Sequence, residues 1–544
     1  MTEVKRPFKV HGKPFYPVGG QGWNDGGYND KVSEISFKAV KLFNGNTVVI
    51  PVYWLQIEPQ EGKFDFTAVD DLIASARRYE VKLILLWFAT WKNSNMDYTP
   101  AWVKNNTNRF KRAKSPLGGD LWVLSSFCKA NLEADKKAFA ALCKHLKAKD
   151  SAEQTVIGIQ VENEPAISGT DRDYCPEAQA VFDGPVPAKL ITAMKTAGKG
   201  PTYDIWQRAG GKKSGTWLEV FDWPARDIIS AWSLATYMDG VAAAGKAVYD
   251  LPMYINASLG GVNGWRGSVP DEMFSSGEPL PKVLDVYKWF TPHVDMIAPD
   301  IHSPDTKSYE ALCAAYSRDD NPFFVPETPP SPNLFRAVAD YNLIGYSWMG
   351  GFENIVAPDG SVRPEMKILV DSVRCLSSAI PLLLKYQGTD KIHAVVQEEN
   401  MHQQWLDLDG YLGRVQFGAG FSLRGSKDPK HASGELMPRE IAETMPERNR
   451  SRGLVFQTGK HEFYLVGIGW RLFLIPKLPP DRTRPLLTHG VVWPGGQISV
   501  EEGHFDENGR FIVERQRNKE PMTQGAWVEG DIGVLRIIMS DIKI

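Results

Sequence analysis

An alternation constrains this chain more than any other feature. From the N-terminus to about residue 385, eight short apolar runs are separated by stretches of helix length: "PFYPVGGQG" (14–22), "TVVIPVYW" (47–54), "KLILLWFAT" (82–90), "VIGIQVEN" (156–163), "PMYINASL" (252–259), "MIAPDIH" (296–302), "FFVPET" (323–328) and "LIGYSW" (343–348). The runs are rich in β-branched and aromatic residues with little polar alternation, as in strands buried on both faces of a parallel sheet. Between them, "FTAVDDLIASARRYE" (66–80), "LEADKKAFAALCKHLKAK" (132–149), "RDIISAWSLATYMDGVAAAGKAV" (226–248) and "YEALCAAYSRD" (309–319) place apolar residues near helical spacing. Eight strand–helix units in series predict an α/β fold, a (β/α)8 TIM barrel over residues 1–385. Two stretches, about 91–130 and 165–225, read as insertions after strand ends. Beyond residue 390 the pattern changes to alternating strands and tight turns. "GLVFQTGKHEFYLVGIGWRLFLIP" (453–476) reads as a hairpin turning at Thr458-Gly459, "GHFDENGRFIVERQ" (503–516) turns at Asn508-Gly509, and "GVLRIIMSDIKI" supplies a last strand. Residues 386–544 are therefore expected to form an all-β sandwich domain appended to the barrel.

Composition removes several function classes. The formal net charge is −3 and no basic run is interleaved with aromatics, so nucleic acid is not an expected partner. Five scattered cysteines, never in CxxC spacing, argue against a disulfide framework or a zinc site. No apolar run of membrane-spanning length exists and "MTEVKRPFKVHGKPF" does not resemble a signal peptide, so a soluble chain with no membrane partner is expected. There is no HExxH, and "GGQGWNDGG" fails GxGxxG spacing. No metal and no cofactor are expected.

In a (β/α)8 barrel the chemistry sits at the carboxyl ends of the strands. The fourth run ends in Glu162, Asn163 and Glu164, and the seventh carries Glu327 at its tip. Strand alternation would send Glu162 and Glu164 to one side, with Pro165 bending the chain. Glutamates on strands four and seven can face each other across the mouth. Two such carboxyls are what a retaining glycosidase needs, one to attack the anomeric carbon and one to protonate the leaving oxygen, with Asn163 able to hydrogen-bond the sugar 2-OH. Lys92 and Asn93 follow strand three and either reach sugar hydroxyls or form a solvated loop. Asn256 is either a ligand contact or a satisfied buried amide, and His302 either orients Glu327, binds sugar or is structural. Asp300 reads as a capping or ion-pair residue. Trp348, at the end of strand eight, is the first candidate platform for stacking a pyranose, with Trp87 and Trp91 either further platforms or core; Trp206, Trp217 and Trp223 either pack the second insertion, the first reading, or form acceptor subsites.

The motifs "IQVENEP" and "FFVPET", with "GGQ" at the first strand, "VYWLQIEPQEGKFDF" (52–66) and "LLWFATWKN" (85–93), resemble glycoside hydrolase family 35, part of the large retaining-glycosidase clan and known mainly for β-galactosidases. The likeness is to a bacterial subgroup with a C-terminal β-sandwich and covers essentially the whole chain. It implies Glu164 as acid/base and Glu327 as nucleophile, with Glu162 as an accessory carboxylate that either faces the ligand or pairs within the structure. Gln21, Asn93, Glu162, Asn163, Asn256, His302 and Trp348 complete the expected substrate-binding set. The walls depart from the family: "GGQGWNDGGY" stands where relatives tend to carry "GG(E/Q)xxNSS", His302 follows "PDI" where they tend to have Tyr, and "GYSWMGGFEN" replaces "GFSPFxIE". The resemblance thus implies a retaining exo-β-glycosidase acting on an oligosaccharide or glycoside, a β-galactosidase in the first place. A β-glucoside-active hydrolase or a transglycosylase, for example a glucosyltransferase on β-1,2-linked glucosides, is the alternative, and a non-catalytic carbohydrate-binding protein is the alternative from another class.

Overall fold

A computed structural model describes residues 4–259, 275–303, 305–398, 401–417, 449–477, 496–517, 525–530 and 533–540. Its centre is a parallel sheet of eight strands: β1 (Val18–Gln21), β2 (Thr47–Tyr53), β3 (Lys82–Lys92), β4 (Val156–Asn163), β5 (Met253–Ala257), β6 (Met296–Pro299), β7 (Val325–Thr328) and β8 (Tyr346–Trp348). Their order around the sheet is β6-β5-β4-β3-β2-β1-β8-β7, every ladder parallel, so consecutive strands are neighbours and β1 pairs with β8. This is the nearly closed wall of a (β/α)8 barrel. The helices that follow the strands are α1 (Asp30–Leu42), α2 (Thr67–Arg78), α3 (Lys129–Asp150), α4 (Ala225–Lys246), α5 (Leu284–Phe290), α6 (Thr306–Tyr316), α7 (Asn333–Asp340) and α8 (Lys367–Ser378).

Alternation along the strands divides the apolar residues into two sets. Ile84, Leu86 and Phe88 of β3, with Val49, Ile157 and Met296, fill the barrel interior, while Leu83, Leu85 and Trp87 face the helices. Phe8 plugs the amino-terminal end, its ring 5.1 Å from that of Phe324. Gly158 makes room for the plug, since a Cβ there would lie 2.9 Å from the Phe8 ring. The helices are cut where the sequence provides caps: Asn29 accepts from Val32 N at 3.0 Å to start α1, and Asp305 accepts from Ser308 N at 2.8 Å to start α6. On α2, Val69, Leu72, Ile73 and Ala76 form the buried stripe. Of the two insertions, the first adds a small hairpin, Arg112–Lys114 with Asp120–Leu124, and the second adds four short helices, Pro176–Asp183, Ala188–Ala197, Pro201–Arg208 and Trp217–Phe221.

After the short helix α9 (Ile380–Tyr386) come β9 (Ile392–Val396), β10 (Gln403–Leu408), β11 (Tyr411–Phe417), β12 (Arg452–Gly459), β13 (Glu462–Ile468), β14 (Trp470–Pro476), β15 (Gln497–Phe505), β16 (Phe511–Gln516), β17 (Ala526–Val528) and β18 (Val534–Met539). They form two antiparallel sheets, ordered β9-β12-β13-β18-β15-β16 and β10-β11-β14-β17. Val455, Leu465 and Ile537 from the first sheet meet Val415, Leu472 and Val528 from the second in one apolar layer, which makes a sandwich. The 453–476 run is more than the expected hairpin. The register shifts between Gln457 and Gly459, so Gly459 faces Glu462 and the tip passes to Lys460-His461. A second turn at Gly469, φ 74°, sends β14 into the other sheet. The turn at Asn508-Gly509 stands, with Asp506 Oδ1 accepting from the Asn508 and Arg510 amides. Residues 541–544 of the last expected strand lie outside the described residues.

The six-stranded sheet is buried on both faces at its central strands, while its edge strand β16 is exposed. Leu454, Phe456 and Val466 join Val370, Val373, Leu376 and Leu383 of α8 and α9 in the core that surrounds the barrel, and Cys375 Sγ lies 3.5 Å from Gly467 O. Arg452, fully buried on β12, donates to Pro330 O in the loop after β7 at 3.3 Å. All five cysteines are free and buried. Among the described residues no helix is long and apolar enough to cross a membrane.

Sandwich and barrel should therefore unfold together. In Leu454→Ala, urea denaturation followed by tryptophan fluorescence and by far-UV circular dichroism should show one coincident transition, destabilised by about 2–5 kcal/mol. Separate transitions would refute the shared core.

Candidate active site

Glu164 and Glu327 reach the carboxyl end of the barrel from β4 and β7, each 5% exposed. With Asp300, which follows β6, they form a buried trio in which one carboxylate oxygen from each residue lies within 4.8 Å of the other two. Three like charges at that separation in a buried mouth are mutually unfavourable, so the surroundings decide how firmly each carboxyl keeps its proton.

Glu327 is the one held ionised. Gln21, at the end of β1, donates Nε2 to its Oε1 at 2.7 Å, and His302 Nε2 stands 3.9 Å from its Oε2. Burial alone would raise the Glu327 pKa, but the His302 imidazole, the Lys92 ammonium and the Gln21 amide outweigh burial and bring it below the ordinary carboxylate value. Gln21 is placed by the glycines before it: a Cβ on Gly20 would lie 2.2 Å from the Phe352 ring, which closes over the backbone there.

Asp300 is the opposite case. Burial, then the negative charges of Glu327 and Glu164, push its pKa well up, although Asn256 Nδ2 donates to Oδ2 at 2.8 Å. Its surroundings hold its proton on more tightly than those of Glu327, and so it belongs to the site where sequence suggested a cap or an ion pair. The other end of the Asn256 amide accepts from Glu164 N at 2.8 Å. Asn256 thus bridges the backbone of one carboxyl residue to the side chain of another and is fully buried.

The backbone around Glu164 is unusual. Glu162 has φ 62° and Glu164 φ 47°, both in the left-handed region that costs a non-glycine residue about 1–2 kcal/mol. Two such residues break the strand alternation that would have put both glutamates on one side. Glu164 turns into the mouth, while Glu162 turns outward to Asp135 on α3. Its Oε2 accepts from Trp91 N at 2.7 Å, and Gln160 Nε2 donates to its carbonyl at 2.8 Å. Asp135 accepts from Trp87 Nε1 at 2.9 Å, Thr90 Oγ1 at 2.7 Å and Tyr237 OH at 3.1 Å. Burial and the neighbouring Asp135 charge hold the Glu162 proton on, and Asp135 is also raised, chiefly by burial. The partner of Glu162 is thus another carboxyl, neither a sugar nor the Arg or Lys of an ordinary ion pair. This corrects its assignment as a substrate contact.

Lys92, 8% exposed, donates from Nζ to Asn163 Oδ1 at 2.7 Å and to Asn93 Oδ1. Asn93, φ 52°, also donates its backbone N–H to Asn163 O at 3.2 Å. Lys92 is therefore the buried cation of the site, and Asn93 anchors it. Asn163 Nδ2 and Gln21 Oε1 are buried polar atoms with no hydrogen-bond partner among the described residues. Trp348 is a second correction. It is fully buried on the helix-facing side of β8, against Phe43 and Phe352 at 6.1 and 6.5 Å, with Nε1 donating to Gly350 O at 2.9 Å. Strand alternation puts it with Tyr346 outside the barrel, leaving Ser347 to face inward, so it offers no face to a sugar. Trp206 and Trp217 pack the second insertion, whereas Trp223 is 70% exposed.

Asp135 and Tyr237 were not singled out by sequence reasoning. A signal existed for Asp135: it falls on the same helical stripe as Phe139, Leu142 and Leu146, a charge on a buried face.

Residues 28–208 match the glycoside hydrolase family 42 model described as Beta-galactosidase, and residues 370–519 match a domain of unknown function, DUF5597. The matched glycosidase model is thus that of family 42, and the motif likeness to family 35 holds at the level of the wider clan. No curated protein matches the chain. Among solved structures, the chain is similar to the exo-beta-1,4-mannosidase Op5Man5 from Opitutaceae bacterium strain TAV5, at 16% identity over 69% of this chain and 62% of that one, TM-score 0.41. It is also similar to the beta-galactosidase from Bacillus circulans sp. alkalophilus, at 14% identity over 71% and 58%, TM-score 0.47, and to that from Rahnella sp. R3, at 13% identity over 71% and 58%, TM-score 0.46. The matched regions thus span about six tenths of the length of these structures, 62% of the first and 58% of the other two.

The Glu162–Asp135 pair should be visible in stability against pH. In the unfolded chain both carboxyls ionise near about pH 4; in the folded chain both pKa values are raised, so unfolding releases protons and stability falls as pH rises above that value, by about 1.4 kcal/mol per unit of displacement. Glu162→Gln keeps an N–H donor toward Asp135 but no ionisable proton. Urea unfolding from about pH 5 to about pH 8 should show a shallower fall in the variant; equal slopes would refute proton sharing.

Proposed function

We propose that the chain is a retaining exo-β-glycosidase, with terminal β-galactosides as its first substrate class, residues 1–385 as the catalytic barrel and 386–544 as a bracing sandwich. The observation that carries this reading is that one carboxylate oxygen of Glu164 lies within 4.8 Å of one of Glu327. Retaining enzymes hold their two carboxyls about 5–5.5 Å apart, whereas inverting enzymes leave about 6.5–9.5 Å for a water between them. The match of residues 28–208 to the family 42 model supports the same class. Within the clan, "IQVENEP" and "FFVPET" favour kinship with family 35.

Glu327, kept ionised by its neighbours, attacks C1 of the bound sugar from the α face and displaces the leaving group. Glu164 gives its proton to the departing oxygen, then takes one from the water that attacks C1 and releases the sugar from Glu327. Asn163 Nδ2 is a buried donor available for the 2-OH, a contact that strengthens as positive charge develops on the ring. Asp300, whose pKa is raised by burial and by the neighbouring carboxylates, can offer a hydrogen-bond donor without adding a negative charge beside that of Glu327.

Hydrolysis of p-nitrophenyl β-galactoside and β-glucoside, side by side, tests the reading. Galactoside should be preferred, and Glu327→Ala should lose on the order of 10^3-fold or more in kcat. Glucoside preference, or longer products when a sugar acceptor is added, would move the assignment to the glucoside or transfer alternative. No turnover of any aryl β-glycoside would leave a carbohydrate-binding protein. Removing His302 should raise the Glu327 pKa, so the nucleophile ionises later and the acidic limb of kcat/KM moves to higher pH in His302→Gln. An unmoved limb would refute the role given to the imidazole.

A further inference from the structure

Past Glu164 the chain leads to a second recess. Ile167–Ser168 pairs with Ser275–Ser276 as a short antiparallel ladder, and the next residues, Gly169 to Asp171, form one wall of a cavity of about 680 Å3. Arg208, at the end of its helix, forms another wall, and Trp223, Arg226 and Asp227 at the start of α4 form a third, with Lys282 at the rim. Thr170 lies six residues beyond Glu164, so the cavity opens within about 20 Å of chain from the acid/base.

The walls are fixed before any ligand arrives. Arg226 Nε is 3.0 Å from Asp171 Oδ2, and Tyr174 OH donates to Asp171 Oδ1 at 2.9 Å. Lys282 Nζ is 2.7 Å from Asp227 Oδ2, and Gly277 N donates to Asp227 Oδ1 at 3.0 Å. The Arg226 guanidinium covers one face of Trp223 at 4.1 Å from the ring centroid, while the indole remains 70% exposed. Two cations are thus matched by two acids. Arg208, exposed at the end of its helix, has no hydrogen bond or ion pair among the described residues, so the described lining carries three cations against two acids. An open indole face held among fixed polar groups suits the apolar face of a pyranose, and an uncommitted guanidinium suits a carboxylate.

We propose that this cavity is the leaving-group subsite of the enzyme and that it takes a sugar bearing a carboxylate, a uronate. The inference rests on the glycosidase reading, because the acid/base protonates the oxygen on the leaving-group side and the loop that follows Glu164 continues to the cavity wall. Trp223 stacks on the ring and Arg208 pairs with the carboxylate.

The test compares kcat/KM for wild type, Trp223→Ala and Arg208→Gln on p-nitrophenyl β-glycoside, a neutral β-linked oligosaccharide, and the same oligosaccharide with a uronate on the leaving side. Trp223→Ala should lower the oligosaccharide-to-aryl ratio about tenfold, and Arg208→Gln should lower the uronate-to-neutral ratio by a similar factor. Ratios unchanged in both variants would overturn the subsite. A change with Trp223 alone would overturn the uronate. Titration calorimetry of the uronate oligosaccharide into Glu327→Ala, with and without Trp223→Ala, reads binding apart from turnover. Binding weakened by the Trp223 change in a chain whose wild type hydrolyses nothing would keep the cavity as a saccharide site and sink the glycosidase reading instead.

Discussion

The cost of keeping acids out of water organises the barrel mouth. Glu164, Glu327, Asp300, Glu162 and Asp135 are all buried, and an isolated buried carboxylate is far more costly than the protein's whole stability margin allows. The fold answers with two different devices. In the mouth, donors and cations gathered around Glu327 lower its pKa, and burial and the neighbouring charges raise that of Asp300. Behind β4, burial raises both Glu162 and Asp135, and the Asp135 charge helps hold the Glu162 proton on, while indole, hydroxyl and phenol donors surround Asp135. The first device stays addressable by a ligand; the second is closed and serves the backbone.

That backbone service explains the strain. Left-handed conformations at Glu162 and Glu164 persist only where the surroundings over-determine them. Trp91 N and Gln160 Nε2 hold the first residue and Asn256 holds the second, so the direction of the Glu164 side chain is set by hydrogen bonds from β3, β4 and β5. Asn93, also left-handed, brings Lys92 back over the end of β4 in the same way.

The strands were legible because each is a short apolar run, and burial on both faces leaves little else those runs can do. Even β8, three residues long, stands where "LIGYSW" places it. The end of β4 was not legible: alternation presumes extended φ, and nothing in "VENEP" announces two positive values. Trp348 misled for a related reason, since its place at a strand end says nothing about which side alternation gives it, and its partners Phe43 and Phe352 come from distant segments. Glu162 raised the right question, but its partner lies on a helix before β4. Only the misplaced charge on the α3 stripe pointed to it. The β12–β13 tip shifted because a bulge moves register without changing composition.

The six-stranded sheet has an apolar surface on each side, one for its sister sheet and one for α8 and α9. Appended domains are commonly treated as interchangeable accessories, gained and shed by recombination at a linker. Here a chain cut after α9 would present the flank of the barrel to water and lose the Arg452 contact behind β7.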